Sequence, residues 1–598
     1  MQPAFSISRK HGTVKMSDSV PLILLDSNSK NDFSYSWRFT GHSETIQTLE
    51  PDEVLQVLAR VEKSAADGFH AVGFLAYEAA AALNRDLPSL PRIEGLPLAW
   101  FAIFRERRAA TAAEDTGEDI SAPLHLEPDI STQEYLHNVE RIKQYIASGD
   151  SYQVNYTFNM NGAFKGEPLT IYRRISGRQG AAFNAFLDTG RFSIISASPE
   201  LFFSLHDGSI TTRPMKGTAR RGRWLEEDDL QIAALKASSK ERAENLMIVD
   251  LLRNDLGKIA EIGTVRVDSL FDVETYPTLH QLTSTVTAKV RRGVNIAEIL
   301  AALFPCGSVT GAPKRRSMAI ISELEKTPRG VYCGAIGYIA PGGEALFSVA
   351  IRTLLFDKEM HKLSLGIGSG ITTDSKPGPE YQECLAKSGF LFQLNEEFGL
   401  IESLKLENGS YLLLKRHLDR LHSSALFFGF TVQLEAVKDS LERYAAKFAG
   451  EHKVRLLLSR NGEFSLTSEP LAMSTSPLKF AISRRSVASG DTFRYHKTTR
   501  RELLDSAREE RPDADEVIFL NERGELTEGS YHNLLLKIGG KMLTPARESG
   551  LLAGVMRQEL LDCGEAFAAT LFPADLLRAE DIWLINSVRG VRRAFLVD

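Results

Sequence analysis

Cysteine is scarce in this chain. Its 598 residues include four, Cys306, Cys333, Cys384 and Cys563, and no two stand at the short spacing of a metal knuckle or redox pair. A disulfide framework and a structural zinc site are both disfavoured, and the pattern suits a reducing compartment, so a cytoplasmic location is expected. Long apolar runs are missing too. Residues 1–20 carry basic side chains with no apolar stretch behind them, and the run Pro21–Leu25 is short. Neither a signal peptide nor a membrane span is expected there. Nor is there surplus positive charge: 71 Lys and Arg stand against 77 Asp and Glu, for a net charge of -6. Without a basic stripe to grip phosphates, nucleic-acid binding is not expected.

What remains is the balance of a globular protein, 43% apolar and 25% charged, in a chain long enough for two to four domains. Residues 111–129 are acidic and small, and read as a linker closing an N-terminal part, 1–129. From 130 to 397 helical stretches alternate with β-rich runs such as Phe192–Ala197, Leu201–Leu205, Ala345–Leu354 and Lys362–Ile371. A helix over roughly 379–396 would close this block. The text then changes: Leu400–Leu406, Asn408-Gly409 and Tyr411–Leu414 predict a hairpin with an Asn-Gly turn. A second block, 398–598, would follow, with helices near 415–427 and 434–447 and strands near 453–459, 515–520 and 533–537.

In the first block, the stretch Lys240–Asp255 is made of helix formers. Glu241 and Glu244 share one face, and Leu246, Ile248, Val249, Leu251 and Leu252 are expected to seat the helix. A later helix repeats the theme with Glu380, Glu383 and Lys387. Four carboxylates brought together would repel unless a hard cation such as magnesium lay among them. On spacing alone, solvated faces paired with nearby Lys and Arg are the commoner meaning. Lys216 stands between a proline and a glycine in Pro214-Met215-Lys216-Gly217, where a ligand can approach closely. Gly366, Gly368 and Gly370 punctuate a strand and would free backbone N–H groups for an anion, although a bulge is the usual reading. The loop Gly307–Lys314 precedes a helix and is not a Walker loop, because Pro313 occupies the place where its Gly-Lys would begin.

Taken in order, PMKGTARRG, AENLMIVDLLRNDLG, FPCGSVTGAPK, GAIGY, FSVAIRT and GIGSGI resemble the chorismate-utilising enzymes, a family that includes anthranilate, aminodeoxychorismate, isochorismate and salicylate synthases. The resemblance covers about residues 130–395. It implies that Glu244 and Glu383 ligate magnesium directly, with Glu241 and Glu380 holding metal-bound waters. It implies that Tyr332 and Arg352 bind the enolpyruvyl carboxylate with backbone help from Gly366, Gly368 and Gly370, and that Lys387 and Thr310 complete the substrate site. Glu200 matches the acid that protonates the departing C4 hydroxyl. Within the family, anthranilate synthases have a small residue where this chain has Lys216, whereas aminodeoxychorismate synthases have a lysine that attacks the substrate. Gln153 stands where isochorismate and salicylate synthases carry a water-activating lysine, and Gln281 near where anthranilate synthases carry a histidine. The resemblance therefore points to amination of chorismate at C4.

In the second block, the runs Glu528–Leu535 and Leu552–Arg557 resemble the class IV aminotransferases, which include branched-chain and D-amino-acid aminotransferases and aminodeoxychorismate lyase. A pyridoxal phosphate site needs a lysine, a carboxylate at the pyridine nitrogen and a phosphate cup. The resemblance assigns these to Lys497, Glu528 and Arg420, with Val555, Met556 and Ser587 adding phosphate donors. Met556 departs from the family, where threonine is usual. A lyase acting on the first block's product, giving p-aminobenzoate and pyruvate, is the consistent pairing. The alternatives are an anthranilate synthase-like enzyme fused to an amino-acid aminotransferase, and a synthase with a non-catalytic second block. No cysteine stands in a glutaminase setting, so ammonia from a separate glutamine amidotransferase subunit is expected. The expected architecture is α+β throughout: two stacked sheets flanked by helices, then a two-lobed class IV fold, which the family often assembles as a homodimer.

Overall fold

The computed structural model describes residues 20–27, 35–110, 124–176, 181–391, 398–472 and 476–597. The expectations for residues 1–19 and for most of the 111–129 linker lie outside the described residues, whereas the helix expected over 379–396 ends earlier, at Lys387, with a short 3-10 turn over Gly389–Leu391 after it. The chain forms two compact units, Met1–Ala219 with Leu235–Leu394, and Arg220–Ala234 with Asn395–Asp598. No helix among the described residues is long and apolar enough to cross a membrane.

Strand pairing in the first unit follows one antiparallel path. It runs from Gln153–Ala163 through Lys362–Ile371, Thr353–Asp357, Phe192–Ser198, Phe183–Asp188 and Ile23–Asp26 to Ser36–Thr48. It continues through Ala99–Ala109, His70–Leu75, Ala335–Ile339, Ala345–Val349, Leu201–His206 and Ser209–Arg213 to Leu279–Lys289. Side chains alternate between the two faces of a strand, and here the alternation feeds separate cores. Val72, Phe74, Trp100 and Phe104 from the second half of the path meet Leu187, Phe192 and Ile194 from the first. Their neighbours Ala71, Leu75, Phe101 and Ile103 face the opposite way, against helix Val54–Ala66. The first half's other face packs Val154 and Leu365 with Tyr135, Ile320 and Tyr381 of helices Thr132–Ala147, Lys314–Leu324 and Pro377–Lys387. The path thus doubles into two stacked sheets with helices outside, as the resemblance implied.

Two local departures from the sequence reading bear on function. Helix Ser239–Gly257 starts at Ser238, whose hydroxyl accepts the Glu241 N–H at 3.3 Å. Its buried stripe is Asn245, Ile248, Val249, Leu252 and Leu256, spaced for one helical face, and Leu246 falls off that stripe at 50% exposed. The run expected as one strand, Ala345–Leu354, breaks into Ala345–Val349 and Thr353–Asp357. Arg352 sits in the break at a φ of 50°, a left-handed conformation costing a non-glycine residue about 1–2 kcal/mol.

The second unit has two lobes. In one, Leu400–Glu407, His452–Leu458 and Phe464–Pro470 form a sheet packed on helices Leu414–Phe428 and Leu434–Ala445. Asn408 and Gly409 turn the first hairpin at φ 51° and 76°, which two-residue turns of this kind require. In the other lobe, Leu478–Ile482 pairs in parallel with Glu516–Leu520 and Gly590–Leu596, and Asp581–Asn586 pairs antiparallel with Asn533–Ile538. The excursion Arg220–Ala234 belongs to this unit's core. Trp224 lies 4.9 Å from the Tyr495 ring with Arg547 4.4 Å above it, and the Arg223 carbonyl stands 3.1 Å from His496 Nε2.

Candidate active sites

In the first unit, the strand Met215–Arg220 and helices Ser239–Gly257 and Pro377–Lys387 close on the strand Lys362–Ile371 around a cavity of about 220 Å³. Its wall includes Glu200, Lys216, Glu241, Glu244, Tyr332, Arg352, Gly366, Gly368, Gly370, Glu380, Glu383 and Lys387. Thr310 is not on that wall. Its hydroxyl donates to the Cys306 and Gly307 carbonyls at 3.1 and 3.3 Å, and Ser308 and Val309 face the cavity instead.

Lys216 is half-buried on the cavity wall, and loss of solvent around it with Lys387 nearby lowers its ammonium, although Glu244, Glu200 and Glu383 oppose the shift. Its backbone is pinned from the glutamate helix, where Asn245 Nδ2 donates to the Lys216 carbonyl at 3.1 Å and Asn245 Oδ1 accepts from Ser284. Gly370 makes room for it: a Cβ there would lie 2.1 Å from Gln153 Nε2 and 2.8 Å from Lys216 Nζ. The Gln153 amide is itself buried and, among the described residues, makes no side-chain hydrogen bond. Gly217, at φ 96°, lets the Lys216 strand pass Glu241, whose Cβ would be 3.2 Å from a side chain at that position.

Glu200 is also buried, and loss of solvent raises its carboxyl to about 7 against the pull of Ser308 and Lys216. A carboxyl poised there can donate a proton near neutrality. Arg352 carries its charge into the cavity with the Tyr276 ring 5.8 Å away and, among the described residues, no carboxylate paired to it. Burial lowers its guanidinium below the usual range. On the facing strand Lys387 Nζ donates to the Gly368 carbonyl at 2.9 Å. The N–H of the same residue points the same way in a strand, so Gly366, Gly368 and Gly370 present alternate N–H groups to this edge. A substrate carboxylate has donors on both sides.

The four glutamates are hard oxygen donors on one wall, and burial raises both Glu241 and Glu244 above the usual carboxylate range, Glu241 adding to the rise at Glu244. A divalent cation would relieve that repulsion, and the donor set fits magnesium. Among the described residues no group of three or more His, Cys, Asp or Glu side chains converges tightly enough to hold a metal ion. Instead Glu383 pairs with Lys387 at 2.9 Å, and Glu244 lies 4.0 Å from Lys240. Sequence patterns did not single out Lys240, Asn155 or Ser308 on the wall; Asn245 lies within the quoted run AENLMIVDLLRNDLG, but nothing in that run told of its bond to the Lys216 carbonyl.

The second unit holds a cavity of about 480 Å³ lined by Lys497, Glu528, Arg420, Val555 and Ser587. Met556 is not on its wall, and its side chain packs with Leu535 and Ile585. Burial and the Arg420 guanidinium lower the Lys497 ammonium to about 8. Its backbone carbonyl accepts the Ile401 N–H at 2.9 Å, joining it to the first lobe. Glu528, on Leu526–Gly529, accepts the Leu552 N–H at 3.0 Å, and burial raises it to about 7. Arg420 is aimed by Glu402 at 2.8 and 2.7 Å, and His417 Nδ1 donates to the same carboxylate at 2.6 Å. Burial works against Glu402, yet Arg420 and His417 hold it at about 2. Helix Val555–Asp562 begins at the cavity wall, where its first N–H groups suit an anion. Pyridoxal phosphate fits this donor set, with a half-buried lysine, a carboxyl on the same cavity wall and an arginine beside a helix start. Glu402 and His417 were not legible from the motif.

The profile of the chorismate binding enzyme family matches residues 21–393, and that of amino-transferase class IV matches residues 399–595. The chain is 44% identical over 259 residues to aminodeoxychorismate synthase component 1 of Klebsiella aerogenes, covering 43% of this chain and 57% of that protein. It is 39% identical over 269 residues to anthranilate synthase component 1 of Aquifex aeolicus, covering 45% and 54%. The chain therefore spans little more than half the length of these curated relatives. The crystal structure of anthranilate synthase component I from Streptococcus pneumoniae TIGR4 has the same fold, with a TM-score of 0.54 at 24% identity over 65% of this chain and 95% of that one. With well over half of its residues matching that first profile, the chain belongs to the chorismate binding enzyme family, and a class IV amino-transferase domain follows.

Proposed function

We propose that the first unit aminates chorismate to 4-amino-4-deoxychorismate and that the second converts this product to p-aminobenzoate and pyruvate. The observation that carries the reading is Lys216: a half-buried amine, lowered by loss of solvent, against Gly370 and in the same cavity as Glu200. Arg352 and Tyr332 would bind the enolpyruvyl carboxylate. Glu241, Glu244, Glu380 and Glu383 would hold magnesium, which supplies positive charge to the ring carboxylate and the leaving group. Lys216 Nζ forms a bond to C2, both ring double bonds shift by one position, and the C4 hydroxyl departs as water with a proton from Glu200. Ammonia then bonds to C4, both double bonds shift back, and the C2–Nζ bond breaks to restore the lysine. A separate glutamine amidotransferase subunit would supply that ammonia.

In the second unit Glu528 would sit at the pyridine nitrogen of pyridoxal phosphate, with Arg420, Val555 and Ser587 at its phosphate. The cofactor, when bound, supplies an electron sink beside the substrate's nitrogen. Lys497 takes the C4 proton, the ether bond to the enolpyruvyl group breaks, and the ring becomes aromatic as pyruvate leaves. The test is chromatography of products from chorismate, magnesium and ammonium, with and without pyridoxal phosphate. p-Aminobenzoate and pyruvate are the expected products; anthranilate would overturn the reading of Lys216, and aminodeoxychorismate persisting in the presence of cofactor would overturn that of the second unit.

The first step needs a protonated Glu200 and a neutral Lys216, so kcat/KM for amination is expected to be bell-shaped in pH. One inflection should fall near 7, the value to which burial raises Glu200. Glu200→Gln should abolish that inflection and slow the step about 10²–10⁴-fold. An unchanged profile in that variant would assign the proton to another group.

A further inference from the structure

Positive charge in the second cavity exceeds what a cofactor phosphate needs. Besides Arg420, its wall carries Arg494, Arg500, Arg501, Arg508, Arg589 and Arg592, against the carboxylates Asp515 and Glu528. Two of these arginines are organised by one aromatic ring. Arg501 lies 4.7 Å and Arg508 5.1 Å from the centroid of Tyr531, a stacking that fixes the guanidinium planes while leaving their edges to donate. Arg501 is fixed further by donating to the Ser530 carbonyl at 2.9 Å and to Asp505 at 3.2 Å.

The turn bearing Tyr531 is held from beneath by Glu516, which is fully buried. Its carboxylate accepts from the Ser530 and Tyr531 N–H groups at 2.9 and 3.0 Å, from the Ser530 hydroxyl, and from His532 Nδ1 at 2.6 Å. Every partner is a donor, so the carboxylate is ionised and His532 Nδ1 carries its proton. His532 also lines the cavity, its side chain is 9% exposed, and its Nε2 has no partner among the described residues. With its proton on Nδ1, His532 offers Nε2 as an acceptor and is no donor to an anion.

We propose that Arg501 and Arg508 form a carboxylate subsite in the second cavity, so that its substrate is an amine carrying a carboxylate remote from the amine-bearing carbon. A guanidinium edge matches the two oxygens of a carboxylate, and both arginines stand on the wall of this cavity. The subsite selects acids with the charge set across a ring over simple monoamines. Glu516 is a positioning residue, acting through the turn. The inference rests on the second unit's reading as a lyase, and it adds how that substrate is recognised.

The test uses the full chain loaded with pyridoxal phosphate. Isophthalate, benzoate and the neutral benzamide are titrated while the cofactor's absorbance band is followed, a signal that binding in the first unit does not produce. Isophthalate is expected to shift the band at concentrations where benzamide does not. Arg501→Gln with Arg508→Gln should weaken isophthalate at least about tenfold, with cofactor affinity within about twofold of the parent. Arg501→Lys, which keeps the charge, should fall between them, and it serves if the double variant does not fold. An isophthalate response absent in the parent or unchanged in these variants overturns the subsite, as does a parallel loss of cofactor affinity, which would make these arginines phosphate ligands. Arginine-dependent isophthalate binding in a chain that makes no p-aminobenzoate from supplied aminodeoxychorismate would sink the lyase reading and leave the subsite standing.

Discussion

Alanine at Lys216 is expected to cut formation of 4-amino-4-deoxychorismate by at least about a thousandfold, the scale on which loss of a nucleophile acts. The effect should fall on kcat rather than KM, because in the proposed site Arg352, Tyr332 and the glycine strand would hold the substrate's carboxylate. Truncation removes a half-buried amine whose charged form is already disfavoured, so the variant should melt within a few degrees of the parent. The second unit should still convert supplied 4-amino-4-deoxychorismate at the parental rate, which separates lost chemistry from lost fold. A fall of less than about tenfold would reduce Lys216 to an electrostatic role among the glutamates and leave ammonia to attack directly.

Alanine at Lys497 should have an equally large effect one step later. Conversion of 4-amino-4-deoxychorismate to p-aminobenzoate is expected to drop at least about a thousandfold, and the intermediate should accumulate in the coupled assay. Because Lys497 would hold the cofactor covalently, the visible band of the loaded protein should shift or disappear. Arg420, aimed by Glu402, would keep some phosphate affinity in the variant. Undiminished p-aminobenzoate formation would mean that aromatisation proceeds without this lysine and that the second unit does other work.

Much of this was legible in the chain. The glutamate pairs lie on helices because their spacing and the lack of breakers leave little else, and the Asn408-Gly409 turn is encoded by its two residues. Lys216 gained meaning from the motifs around it rather than from its own position. Arg352 was named by resemblance, but its conformation was hidden: the apolar run of 345–354 reads unbroken, and nothing in an arginine announces a positive φ. Asn245 and Glu516 were invisible for another reason. Each works by holding backbone or side chains far away in sequence, Asn245 the Lys216 carbonyl and Glu516 the turn at Ser530, and local pattern carries no record of such pairings. Leu246 shows the reverse error, an apolar residue that helical period places off the buried stripe.

The excursion Arg220–Ala234 has a consequence for how such a chain is made and how it can be divided. The ribosome delivers Trp224 long before Tyr495 and Arg547, which enclose it in the finished protein. A large aromatic ring therefore waits uncovered while the intervening chain is synthesised, a state that favours chaperone engagement. The same order makes the two units poor candidates for separate genes. A cut near residue 395 strands part of the second unit's core inside the first product, so the boundary at which the sequence text changes is not the boundary at which the protein comes apart.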